Sequence, residues 1–229
     1  MNPETITDLG YIIQLFYPPK ILNKNSLRKI YVELGGALCL TESKEFPDGI
    51  QFVSQPLEGR EIVKYLIKED STIIHGEFIT GGLELFWRRT EMLTKRVGEI
   101  LKIPIFFSQV CVVRILATPK PVNDSREFIG NMVCSFQPEN LSFFKRPAQA
   151  VGLRFFFPPM PNTPYEFDVK VESKITDITK IWMENKARFF KPIPPDNLSI
   201  IWDNLCITRD FLVENVTQFL SQYNEQKNK

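Results

Sequence analysis

The chain contains one histidine, in a stretch whose residue types could move a proton: His75-Gly76-Glu77. An imidazole with a carboxylate two residues away is a base beside an orienting acceptor. On a strand the two side chains would share a face, because side chains alternate. His75 and Glu77 are therefore the candidate catalytic pair. One histidine excludes any metal site built from several. There is no Walker loop, no GxGxxG and no CxxC, so neither a metal nor a cofactor is expected. Asp168, Glu172, Asp177 and Glu184 alternate with lysines and read as a wet sheet face rather than a carboxylate pair.

The candidate binding residues are basic and aromatic. Arg88, Arg89, Lys95 and Arg96 fall in one helical stretch, and Lys145-Arg146 follows Phe143-Phe144. Basic and aromatic side chains together are what single-stranded nucleic acid uses. Against that, Glu84 and Glu91 flank the first cluster, the mixture of a solvated helix face. The 28 basic and 27 acidic residues nearly cancel, unlike the basic excess of a duplex binder. Arg154 precedes Phe155-Phe156-Phe157, where alternation sends Phe156 to the face opposite its neighbours. Such a strand needs a two-sided core, or it leaves aromatic surface for an interaction. Arg88, Arg89, Lys145, Arg146, Arg154 and Phe156 are the binding candidates.

The elements that must position these residues come in two similar series. YIIQLFYPPK (Tyr11–Lys20) and CVVRILATPK (Cys111–Lys120) lie one hundred positions apart. Each is an apolar strand ending at proline, where a ladder donor is dispensable. Each leads through a polar turn to a short helix, at Ser26–Leu34 and Arg126–Cys134. GIQFVSQP (Gly49–Pro56) then matches GLRFFFPP (Gly152–Pro159), and Ser71–Thr80 matches Leu198–Thr208, both read as strands. That last match makes Trp202 and Asn204 the counterparts of His75 and Glu77. Helices follow at Gly82–Lys102 and Arg209–Gln222, each with apolar residues at 3-and-4 spacing. Thr80 and Thr208 are the expected N-caps, with Asp210 in the second helix's first turn. The second series adds strands at Tyr165–Ile175 and Lys180–Phe190; the first has a degraded equivalent near Arg60–Lys68. Residues 1–104 and 105–229 thus read as two repeats forming one globular domain.

This pattern implies an α+β fold: one curved antiparallel sheet from both halves, with two long helices on one face. It resembles the duplicated TATA-binding-protein-like architecture, with a helix-grip fold as the alternative. Tyr11–Pro19 and Gly152-Leu153-Arg154-Phe155 also resemble two strands of a scattered, uncharacterised prokaryotic two-repeat family. That family's Tyr-Asn after Gly-Leu-Arg is replaced here by Phe-Phe. The resemblance implies the duplicated architecture and no known activity.

Four widely spaced cysteines among apolar neighbours read as reduced thiols of a cytoplasmic protein. MNPETITDLG has no apolar core of a signal peptide, and no stretch is long and apolar enough to cross a membrane. The sequence therefore points to a non-enzymatic binding or assembly module, with a homodimer or a protein partner. The alternatives are a nucleic-acid binder using the concave sheet face, and an enzyme or small-ligand binder near His75 and Glu77.

Overall fold

A computed structural model describes residues 6–55, 59–120 and 122–223. Pro56 and the first five residues, which entered the strand and leader readings, lie outside that range. The strands are β1 (Thr7–Phe16), β2 (Glu42–Phe46), β3 (Gly49–Ser54), β4 (Ile62–Lys68), β5 (Ser71–Glu77), β6 (Ser108–Ala117), β7 (Gly152–Phe157), β8 (Tyr165–Ser173) and β9 (Ile181–Phe189). They form one open antiparallel sheet in the order β2-β3-β4-β5-β1-β6-β9-β8-β7. The fold is α+β, and strands from both halves share the sheet.

One face of the sheet is covered and the other is not. On β1, Tyr11, Ile13 and Leu15 are buried while Ile12, Gln14 and Phe16 are half-buried, a period-two pattern. β8 repeats it with buried Phe167, Val169 and Val171. The covering helices are α1 (Lys24–Leu34) and α2 (Gly82–Leu101), then α3 (Ser125–Glu127) with its π-helical continuation Phe128–Val133. α4 (Pro138–Ser142) is a single short turn. A terminal run joins α5 (Ser199–Asp210), a π-helical turn Phe211–Val216 and α6 (Thr217–Ser221). α2 seats Phe86, Leu93 and Val97 on the sheet. It lies so close to β5 that a Cβ on Gly76 would stand 2.8 Å from the Phe86 ring, which is why glycine occupies that position. Among the described residues no helix is long and apolar enough to cross a membrane.

The second half departs from the sequence reading in one element. Leu198–Thr208 was expected as a strand, but Ser199–Asp210 is helical. Ile200-Ile201-Trp202 reads locally as strand, yet the buried residues are Ile201, Leu205, Thr208 and Leu212, spaced by four, three and four. The strand beside β6 is β9 instead, so Trp202 and Asn204 are not placed as counterparts of His75 and Glu77. Thr208 is no N-cap: inside the helix its hydroxyl donates to the Asn204 carbonyl at 2.7 Å. Asp210 ends α5 rather than opening a helix. Thr80 does not cap α2 either; the cap is Gly81, and the Thr80 backbone N–H donates to Glu61. The equivalent expected to be degraded near Arg60–Lys68 is a full strand, β4.

Candidate functional site

His75 and Glu77 do lie on one face of β5, the uncovered one. His75 stands opposite Ile12 and Lys64 across the neighbouring strands. Its Nε2 is 3.1 Å from a Glu77 carboxylate oxygen, at an angle that makes no hydrogen bond. Burial lowers the imidazole pKa from its ordinary value; Glu77 opposes this while Arg114 and Lys64 reinforce it. Among the described residues no hydroxyl or thiol hydrogen-bonds its ring. Cys111 is fully buried and its pKa is pushed up to about 12 by burial.

The basic candidates are dispersed. Arg89 of α2 turns inward and pairs with the buried Glu61. Burial raises that carboxyl, but Arg89 and the Thr80 N–H outweigh it and hold the pKa below the ordinary value. Arg88 is exposed on the same helix. Lys145 and Arg146 follow α4 and border a shallow depression shared with Asp124, Arg126 and Glu127. Arg154 lies on the uncovered sheet face, held by Asp168 through two hydrogen bonds of 2.7 Å. No single basic surface assembles from these residues. On the uncovered face Arg114 pairs with Glu184, and Arg188 with Glu166.

β7 gathers what remains, and it is an outermost strand of the sheet. Phe156 and Phe157 are 59% and 41% exposed, and the Arg154 side chain is 68% exposed. Phe155 and Phe157 project to the helix side. There they line a cavity of about 410 Å³ with Phe211, Asn215, Val216 and Phe219. The ring centroids of Phe157 and Phe211 are 5.2 Å apart, and those of Phe155 and Phe219 are 5.7 Å apart, both edge to face. The π-helical turn supplies Phe211, Asn215 and Val216 to this wall.

The backbone of β7 is half satisfied. The Ser173 N–H donates to the Val151 carbonyl at 2.9 Å, so residue 151 points its polar groups at β8. In an antiparallel ladder that direction alternates. The N–H and C=O of Gly152, Arg154 and Phe156 therefore point away from the sheet. No hydrogen bond reaches them from another described residue. Arg154 and Phe156 were visible as candidates in the sequence; Phe157, Phe211, Asn215 and Phe219 were not gathered there. Their signal was the spacing of four in Phe211, Asn215 and Phe219, which places all three on one helix face.

No family model matches the chain, and no curated protein matches it.

Proposed function

We propose that this protein is a non-enzymatic binding and assembly module that accepts a further β-strand on the outer edge of β7. The carrying observation is that edge itself: outward, unpaired backbone groups beside exposed Phe156 and Phe157, with an apolar cavity behind them. Main-chain hydrogen bonds would supply affinity, and alternate side chains entering the cavity would supply selectivity.

A duplicated, TATA-binding-protein-like unit makes sense of why the edge is there. Four successive registers support the duplication. Ile12 pairs with Val112 at the centre of the sheet, so a two-fold axis there relates residues one hundred positions apart. Moving outward, His75 pairs with Ile12 and Lys186 with Val112; then Lys64 pairs with His75, and Asp168 with Lys186. Val53 pairs with Lys64, and Phe156 with Asp168. β3 and β7 are thereby equivalent at the 103-residue offset that aligns GIQFVSQP with GLRFFFPP. In the first half β2 lies outside β3, with the Thr41 N–H donating to the Val53 carbonyl at 2.8 Å. In the second half the described residues place no strand outside β7. Phe156, the equivalent of Val53, presents the same backbone groups to solvent.

The nucleic-acid reading ranks lower because Arg89, Arg114, Arg154 and Arg188 are each committed to a carboxylate. The enzymatic reading ranks lower because no described hydroxyl or thiol hydrogen-bonds the His75 ring. The spacing of Cys39, Cys111, Cys134 and Cys206 as free thiols supports a cytoplasmic setting.

The test is selection of short peptides from a random displayed library on dilute, immobilised protein, with Arg154→Pro as counter-screen. Proline at 154 removes an N–H that points outward and spares the main-chain bonds to β8, while it also removes the side-chain bonds of Arg154 to Asp168. The expected outcome is enriched peptides with alternating apolar residues that lose binding to Arg154→Pro. No enrichment, or binding indifferent to that substitution, overturns the reading.

A further inference from the structure

We infer that the strand accepted by β7 is β7 of a second copy of this chain, paired antiparallel about a two-fold axis through Phe155. The inference rests on the reading of β7 as an acceptor edge and names its occupant. Self-pairing demands a strand complementary to its own reverse, and Gly152–Phe157 is complementary in one register.

In that register Arg154 stands opposite the partner's Phe156, Phe155 opposite the partner's Phe155, and Leu153 opposite the partner's Phe157. The outward backbone groups fall into place. Each Arg154 exchanges both main-chain bonds with the partner's Phe156, and Pro158, which has no N–H, ends the ladder. The side chains agree. On the open face the Arg154 guanidinium, whose fork Asp168 already holds, offers its flat side to the partner's Phe156. On the helix side only apolar groups meet, so the cavities behind the two β7 strands open toward one seam.

The neighbouring registers fail. One places Arg154 against the partner's Arg154, a like-charge pair. The other sets Phe156 against itself and Arg154 against Pro158, which has no N–H to complete the bonded pair. A two-fold contact also closes on itself, so it consumes the edge without starting a polymer.

Two measurements on the full chain test this. Sedimentation should give a dimer for the unaltered protein, weakened at least about a hundredfold by Arg154→Pro, a loss typical of a central interface position. In a background with the exposed Cys39 changed to Ser, Phe155→Cys should oxidise to a covalent dimer. Directly opposed positions outside the hydrogen-bonded pairs sit about 4.5 Å apart at Cα, which a disulfide spans. Phe157→Cys, opposite Leu153, should remain largely unlinked. Crosslinking through 157 in preference to 155 overturns the register, and a dimer indifferent to Arg154→Pro overturns the interface. A monomer that still captures peptides on β7 overturns the second copy and leaves the acceptor edge standing. A monomer that captures none removes both. If Phe155→Cys fails to fold, the sedimentation pair decides alone.

Discussion

The sheet ends on β2 at one side and on β7 at the other, and the two strands meet solvent with opposite chemistry. β2 reads Glu-Ser-Lys-Glu-Phe and every residue is exposed. Glu45 is held by Lys24 and Arg28 of α1, and the Lys44 ammonium lies 5.3 Å from the Phe46 ring centroid. Charges along an outermost strand are how soluble proteins keep such an edge from pairing. β7 reads Gly-Leu-Arg-Phe-Phe-Phe, carries one charge, and that charge is already neutralised by Asp168. An outermost position in the sheet therefore does not by itself make an edge reactive. What separates the edges is whether an approaching strand must strip hydrated charge before its backbone can bond.

The sharpest way to break this comparison is to make β2 resemble β7. Replacing Glu42, Lys44 and Glu45 with Thr, Val and Thr should open a second adhesive edge. A module with one self-pairing edge closes as a dimer; with two it has no closure and should grow into open-ended assemblies visible by light scattering. A triple variant that stays as small as the parent would show that those charges do not keep β2 single.

The next effect falls on the fold rather than the edge. Glu61→Gln breaks the ion pair with Arg89 and leaves a guanidinium largely buried, with an expected loss of about 3 kcal/mol in denaturant unfolding. Its pH dependence has a definite sign. The folded carboxyl has a lowered pKa, so its stabilisation is complete above the ordinary carboxylate value of about 4.3 and fades as pH falls through the lower folded value. Because the pair ties α2 to the segment before β4, dimer dissociation measured below the unfolding transition should not move. Phe156→Lys is the converse case. It gives β7 a β2-like charge, should weaken association about a hundredfold, and should change stability by less than about 0.5 kcal/mol, since the side chain is mostly exposed. If both substitutions move both readouts, the separation of edge from core is wrong.

Much of the sheet was legible because strands with one wet face alternate. Phe167, Val169 and Val171 announce β8 with no knowledge of its neighbours. The Phe155–Phe157 run announced that something had to lie on each side of it, and Phe156 is a candidate for that reason. Its position at the edge was not legible, since this depends on strand order set by pairings between residues far apart in sequence. The cavity behind β7 was not legible because the sequence pattern starts the terminal helix at Arg209, with Leu212, Val216, Phe219, Leu220 and Tyr223 on one face. The helix starts at Ser199, and its π-helical turn brings Phe211 within 4.4 Å of the Phe167 ring centroid. Ile200-Ile201-Trp202 concealed that start, because three adjacent apolar residues satisfy a strand and a helix equally well until the next turn is counted.

The smallest effect belongs to His75, and it tests whether the uncovered face acts independently of the edge. Its ring is faced by Glu77 on its own strand, Lys64 on β4, Arg114 on β6 and Ile12 on β1. The folded pKa is lowered, so the unfolded chain takes up the proton first. Stability should be full above the ordinary histidine value of about 6.5 and decline as pH drops below it. His75→Gln should flatten that slope between about pH 7 and pH 5.5, before the carboxylates contribute. Five strand spacings separate β5 from β7, about 24 Å at the usual interval. That is well beyond the roughly 8 Å over which exposed charges act at physiological salt. Association should therefore be the same on both sides of the histidine titration. A dimer that weakens in step with His75 protonation would mean that the sheet transmits strain from its centre to its edge, and β7 could no longer be treated as an independent site.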